Sequence, residues 1–388
     1  RPDENYAREM MQLFSVGLVQ LNVDGTVRND ASGQPLPTYN QDIIEGFARV
    51  FTGWKWECPT TLPICTFATT RPQFAPVAGY NQVLPMRLYP DFHETGTKLV
   101  LNYSGVALPN ATIPAGQSGA QDLKDALDNV FNHPNVGPFI SKQLIQRLVT
   151  SNPSPAYVQR VAEKFNNDGA GRRGNLEVVV KAILLDTEAR SAASGTATAS
   201  AGKLKEPLLR LTQFWRAYEA TSRSGRLGSA TNFTGGVGAV FGQAQGSSPS
   251  VFNFFSPFYA PPGEIADSGR VSPEMQIATE YLNTQIANFF WTQAVSRTHT
   301  ATTLATDIMY INTADELVVA NDSEALINRV AERLLGGSGQ ISATLKAQAK
   351  AQIERTVVPA TNPATALATR TADAIFFVTT SPEFALQR

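Results

Sequence analysis

The sequence predicts a mainly α-helical protein, a multi-helical globular array interrupted by one long, irregular, Pro-rich insert. Apolar residues recur at helical spacing along most of the chain, and Asn, Asp, Ser or Pro precedes many of these stretches as a start signal. Prolines and short apolar runs replace that periodicity between residues 55 and 114. No period of about 20 to 50 residues repeats, which argues against a solenoid.

The first half of the chain begins with two predicted helices. The first runs from Asp3, a candidate N-cap, to about Val16, and Gly17 follows as a stop signal. The second begins near Asn40, after a turn-rich connection. The insert at 55–114 is then expected to form loops and one small β-hairpin. Further helices are predicted at residues 122–131, 138–148, 155–165 and 176–187.

A linker divides the chain into two predicted regions. Residues 191–202 contain only Ala, Ser, Gly and Thr, a composition typical of a flexible connection. This linker separates an N-terminal helical region, residues 1–190, from a C-terminal helical region, residues 203–388. We expect the two regions to pack as one unit. Helices of the second region are predicted at residues 206–220, 273–294, 323–335, 342–355 and 363–379.

Charge and composition argue against nucleic acid as a partner and against a membrane-spanning segment. The chain has 32 basic and 33 acidic side chains, a net charge of -1, and only 17% of its residues are charged, against about 25% in an average soluble domain. A nucleic-acid-binding protein needs a net basic surface, so nucleic acid is not an expected partner. No apolar run reaches the roughly 18 residues of a membrane-spanning helix, so no transmembrane segment is expected. The surface is expected to be polar and nearly neutral.

The two cysteines, Cys58 and Cys65, favour an oxidising compartment. A zinc site needs more ligands at short spacing, so the pair is interpreted as a disulfide that closes a small loop, with two unpaired thiols as the alternative. The chain begins at Arg1 without an initiator Met or an apolar leader, which suggests a mature or truncated form. Together with the low lysine content, these features predict an extracytoplasmic protein, whether periplasmic, cell-surface or secreted.

The opening helix carries a compact set of polar side chains. Glu4 and Arg8 are four residues apart, as are Asn5 and Glu9, so each pair shares a helix face. One interpretation is an ordinary surface ion pair. The other is a polar wall of a cleft, in which two carboxylates, an amide and a guanidinium act together.

His93 lies in a predicted loop beside Glu94 and five residues before Lys98. A loop histidine with acidic and basic neighbours is a candidate general acid or base, or a metal ligand, and the alternative is a histidine that only hydrogen-bonds the loop. The chain has no His-Glu-x-x-His, no Gly-x-Ser-x-Gly and no phosphate-binding loop. No metal-ligand set is therefore assigned, and the sequence leaves the cofactor unknown.

Residues 251–259 are densely aromatic. If this segment is exposed, it forms a binding platform for a sugar or a partner; if it is buried, it fills a core. The candidate interface residues are Phe252, Phe254, Phe255, Phe258 and Tyr259.

Several motifs together resemble the bacterial family called domain of unknown function 1800 (DUF1800). The resemblance rests on Glu4–Gly17 (ENYAREMMQLFSVG), Phe47–Trp54 (FARVFTGW), His93–Lys98 (HETGTK), His133–Leu144 (HPNVGPFISKQL), Lys205–Pro207 and Ser381–Phe384 (SPEF). Glu94 stands where the family usually has Asp. The resemblance implies an exported bacterial protein of unestablished activity whose relatives carry a further upstream helical region. It also brings the opening helix and the His93 loop together as one hypothetical polar site.

Two functions follow from these observations. The first is an exported binding or assembly protein at the cell envelope, whose partner is another protein, a second copy or its own missing N-terminal region. The alternative is a secreted hydrolase or lyase that acts on an envelope polysaccharide. In that alternative, Glu4 or Glu9 pairs with His93 as the acid and base, and Asn5, Arg8 and Lys98 bind the substrate.

Overall fold

The computed structural model describes residues 2–57, 84–191, 201–228, 232–299 and 306–387. Two compact units are distinguished within it. Unit 1 comprises Arg1–Ile145 and Ser154–Asp186, and unit 2 comprises Gln146–Pro153 and Thr187–Arg388. Most of the predicted linker, with Cys58 and Cys65, lies outside the described residues, so the disulfide remains a prediction.

The prediction of a mainly α-helical fold is confirmed. About 51% of the residues are helical, and each sheet among the described residues has only two strands. None of the described helices is long and apolar enough to cross a membrane.

The described residues of unit 1 form short helices and two small sheets. Helix starts follow the sequence signals, because the side chains of Asn40, Ser118 and Ser154 each accept a hydrogen bond from the first turn of the helix that follows. Its elements are α1 (Asn5–Gln12), α2 (Gln41–Val50), β1 (Trp54–Lys55), β2 (Arg87–Leu88), β3 (Lys98–Leu99), β4 (Thr112–Ile113), α3 (Gly119–Asn132), α4 (Val136–Leu148, which continues into unit 2), α5 (Pro155–Asn166) and α6 (Leu176–Leu185).

Helix α1 is shorter than predicted. Asp3 does not cap it; its carboxylate instead accepts a hydrogen bond from the Asn5 amide in a turn before the helix, at 2.8 Å. At the other end, the amides of Val16 and Gly17 both donate to the Met11 carbonyl. Gly17 has a φ of +75°, the left-handed conformation that ends many helices.

The described part of the insert and its flanks holds two strand pairs where the sequence predicted one hairpin. β1 pairs with β2, and β3 pairs with β4, both antiparallel. β3 lies directly against α2, because Gly46 lets the backbones approach: a Cβ added at Gly46 would lie 1.9 Å from the Leu99 carbonyl oxygen. This contact fixes the loop that precedes β3, which carries His93.

Unit 2 is built around an aromatic core. The Phe290 ring lies 5.1 Å from that of Phe214 and 5.9 Å from that of Phe384. Its elements are α7 (Thr187–Ser191), β5 (Lys203–Leu204), α8 (Pro207–Ala217), α9 (Val237–Phe241), α10 (Glu264–Asp267), α11 (Glu280–Ser296), α12 (Ala314–Val319), α13 (Ser323–Leu335), α14 (Ala343–Ile353), α15 (Ala364–Thr379), α16 (Pro382–Ala385) and β6 (Leu386–Gln387), which pairs with β5.

Candidate functional site

His93 belongs to a buried cluster of charged side chains in unit 1. Its Nε2 lies 3.0 Å from Asp122 Oδ2, and Lys98 Nζ lies 2.6 Å from the same oxygen. The three side chains are at most 2% exposed. Asp122 stands in the first turn of α3 and Lys98 begins β3, so the cluster joins a helix, a strand and a loop.

The remaining polar atoms of this cluster are also occupied. His93 Nδ1 donates to the Thr52 carbonyl at 3.0 Å, and Gln117 Nε2 donates to Asp122 Oδ1 at 3.1 Å. Both ring nitrogens of His93 therefore face oxygen atoms of the protein. Gly119 closes the space beside the ring, since a Cβ there would lie 2.9 Å from His93 Nδ1. His93, Lys98 and Asp122 thus form a closely packed, buried polar cluster.

The polar face of α1 forms a second group. Arg8 Nη2 lies 3.4 Å from Glu4 Oε2, which also accepts a 2.8 Å hydrogen bond from Gln41 Nε2. Asn5 is exposed, and among the described residues no hydrogen bond joins its side chain to this group. The ion pair is the ordinary i, i+4 pair of a helix surface.

Glu9 differs from its neighbours on α1. Its Oε2 is buried and has no hydrogen-bond partner among the described residues, and the same holds for the hydroxyl of Tyr39. Burial raises the pKa of Tyr39, the Glu9 charge raises it further, and the Arg8 charge lowers it. Glu9, Arg8 and Tyr39 thus lie within electrostatic range of one another.

The six residues of the predicted polar site fall into two groups. His93 and Lys98 share Asp122, while Glu4 and Arg8 pair on α1. Across the described part of the chain, no hydrogen bond or ion pair joins Arg8 or Glu9 to His93 or Lys98. A single site that contains all six residues remains a prediction.

The aromatic segment of unit 2 is partly exposed. Phe252 is 56% exposed and Phe258 is 74% exposed, whereas Phe255 is only 2% exposed. Phe254 and Tyr259 are half-buried. The segment therefore serves as core at one position and as surface at two others.

One cation–π contact and two hydrogen bonds hold the aromatic segment in place. The Arg147 guanidinium lies 4.7 Å from the centre of the buried Phe255 ring. The Ser256 amide donates to Gln276 Oε1 at 2.7 Å, and the Ser272 amide donates to the Tyr259 carbonyl at 2.8 Å. The two exposed phenylalanines are thus presented on an anchored loop.

Sequence reasoning missed several of these residues. Asp122 was predicted only as the start of a helix, and Tyr39 only as part of a turn-rich connection. Lys203 and Glu274 form an unforeseen ion pair in unit 2, 2.8 Å long and 1% exposed at each side chain. No group of three His, Cys, Asp or Glu residues able to hold a metal ion occurs in the described ranges.

Comparison with known proteins adds a family match. A family model described as "Protein of unknown function (DUF1800)" matches residues 1–386 of the chain. Neither a search of curated proteins nor a search of solved structures finds a match.

Proposed function

The chain belongs to the DUF1800 family, as its motifs predicted, and we propose that it is an exported binding and assembly protein of the cell envelope. Its binding surface is the aromatic segment at 251–259, and the partner we propose for that surface is a second copy of the chain.

The exposure of Phe252 and Phe258 carries this proposal. The phenylalanine side chain has no polar group that could hydrogen-bond to water. Phe252 and Phe258 are both more than half exposed on one short loop, so they leave a large apolar area in contact with solvent. Val251 beside them is 50% exposed. Burying these side chains against a partner would contribute roughly 25 cal/mol for each Å² of apolar area removed from water.

The charge balance supports a second copy as the partner. A net charge of -1 on 388 residues gives almost no long-range repulsion between identical chains. Aromatic residues also dominate the energetics of protein interfaces, especially where a few anchors lie close together.

The test compares the mass in solution of the wild type with that of a Phe252→Ser, Phe258→Ser double variant, by light scattering coupled to size exclusion. We expect the wild type to self-associate and the double variant to be a monomer of 41.9 kDa. Phe14→Ser is the matched control, because Phe14, just after α1, is 64% exposed and lies outside the segment. A wild type that stays monomeric at tens of micromolar, or a double variant that assembles normally, would contradict the proposal.

Export is the second part of the proposal. It is supported by the family resemblance, by the ten lysines among 32 basic residues and by the pair Cys58 and Cys65. Intact mass spectrometry of protein isolated from its native source, alkylated before reduction, tests the disulfide. A mass with no alkylation supports an oxidising compartment, and two alkylated thiols would contradict it.

One observation favours the alternative, a hydrolase or lyase that acts on an envelope polysaccharide. Glu9 Oε2 and the Tyr39 hydroxyl are both buried without partners in the described structure, and a carboxyl and a phenol in such surroundings can exchange protons with a substrate. Release of reducing or unsaturated sugar ends by the wild type and its loss in Glu9→Gln would support this function. Equal release by a Glu177→Gln variant, whose side chain is 74% exposed on α6 of the same unit, controls for the loss of a negative charge.

A further inference from the structure

Arg210 of α8 is a buried cation without a partner. The residue is only 7% exposed, and its Nε and Nη2 are both buried with no hydrogen-bond acceptor in the described residues. It lies on the side of α8 that packs into the core of unit 2, beside Leu211 and Phe214. A charged donor pair in such a position costs free energy unless something accepts its hydrogen bonds.

The two unused atoms form one edge of the guanidinium. Nε and Nη2 point the same way in the plane of the group and match the two oxygens of a carboxylate or phosphate. Arg160 in unit 1 uses this same edge: its Nε and Nη2 donate to the two oxygens of Asp186 at 2.7 and 2.8 Å. In Arg210 the equivalent edge is pre-shaped for an oxyanion.

The chain's own acids do not neutralise Arg210. All 33 acidic side chains lie in the described residues, and none of them forms an ion pair with Arg210. Glu206, one turn earlier on the chain, accepts a 2.8 Å hydrogen bond from Gln243 Nε2 and lies 3.8 Å from Arg147 Nη1. Its carboxylate is therefore engaged elsewhere.

A second cation lies near Arg210. Lys205 Nζ donates to Gln213 Oε1 at 2.7 Å and lies 4.7 Å from the centre of the Phe384 ring, and no carboxylate contacts it in the described structure. Burial and the charge of Arg210 lower the pKa of Lys205 to about 8. Burial alone lowers the pKa of Arg210 to about 10. A water molecule could accept hydrogen bonds here, but it would leave both charges without a counter-charge.

We propose that Arg210 and Lys205 form a binding site for an oxyanion group, a carboxylate or a phosphate, carried by a ligand of this protein. Arg210 supplies the bidentate edge and Lys205 a second positive charge. The site lies in unit 2 and uses none of the residues of the aromatic segment, so it goes beyond the proposed assembly function.

Isothermal titration calorimetry of the full chain tests the site, with inorganic phosphate and acetate as separate probes at constant ionic strength. The variants are Arg210→Met and, as the matched control, Arg216→Met, because Arg216 is exposed on the same helix. We expect the wild type to bind at least one probe and Arg210→Met to bind it at least about tenfold more weakly, the loss of a charge-assisted bidentate pair. Arg216→Met should bind as the wild type does.

The outcomes distinguish a phosphate ligand from a carboxylate ligand, and two of them would overturn the proposal. Tighter binding of phosphate assigns a tetrahedral group, and tighter binding of acetate assigns a carboxylate. A wild type that binds neither probe, or an Arg210→Met variant with unchanged affinity, overturns the proposal. If Arg210→Met does not fold, Lys205→Gln decides: at least about threefold weaker binding supports the site, and unchanged affinity overturns it.

Discussion

Asp122 is predicted to be among the most important polar residues for the stability of unit 1. It is 0% exposed, and its carboxylate oxygens lie within hydrogen-bond distance of three side chains, those of Lys98 at 2.6 Å, His93 at 3.0 Å and Gln117 at 3.1 Å. Asp122→Asn keeps the shape of the side chain and removes its charge. The Lys98 ammonium, 1% exposed, would then lose its counter-charge and have only neutral acceptors, among them the Gly96 carbonyl at 2.9 Å.

The expected loss follows from this burial. Removing one partner from a buried ion pair costs about 3 to 5 kcal/mol, because the other charge stays buried without compensation. Asp128→Asn on the same helix is the matched control: its pair with Lys124 is equally short, at 2.6 Å, but its side chain is 57% exposed. Exposed i, i+4 pairs contribute only about 0.3 to 0.5 kcal/mol.

Urea denaturation, monitored by circular dichroism, measures the free energies of unfolding of the Asp122→Asn and Asp128→Asn variants. Hydrogen exchange of the α3 amides then assigns the loss to unit 1, since both variants lie on that helix. If Asp122→Asn unfolds within about 1 kcal/mol of Asp128→Asn, the buried cluster does not hold unit 1 together as we infer.

Three further predictions concern packing and pH. Gly46→Ala should destabilise the protein by about 1 to 3 kcal/mol, measured by thermal denaturation, because the new Cβ would lie 1.9 Å from the Leu99 carbonyl; helix propensity alone would predict a gain. Burial, with the charge of Arg173, lowers the pKa of His133 from 6.5 to about 4, so the unfolded chain binds the proton first and stability should fall as pH drops from 6.5 towards 4. In His133→Gln this acid-induced loss should be smaller, and an identical pH profile would contradict the assignment. The pKa of Lys205 is lowered from 10.5 to about 8, so stability should rise with pH between these values, and Lys205→Met should remove that rise.

Local signals predicted much of the helical framework. α13 has the bounds read from the sequence, residues 323–335, because Asp322 caps its start and Gly336, at a φ of +80°, ends it. α2 and α5 likewise begin where Asn40 and Ser154 stand as caps. Such signals act within one helical turn, so one sequence is enough to find them.

The candidate site depended on contacts that local signals do not encode. His93 was predicted as an acid or base from its polar sequence neighbours, whereas its partners in the structure, Thr52 and Asp122, are 41 and 29 residues away along the chain. Arg210 looked like one of many helix arginines, and only its burial without an acid distinguishes it. Tertiary packing determines both the partners of His93 and the burial of Arg210. Neither can be predicted from the spacing of residues along the chain.

The most direct test of the assembly function is a native mass spectrum of the wild-type chain, recorded over a dilution series. We predict species at multiples of 41.9 kDa that dissociate on dilution, and their absence when Phe252 and Phe258 are both replaced by Ser. A single monomeric species at every concentration, identical in the wild type and the double variant, would contradict the account.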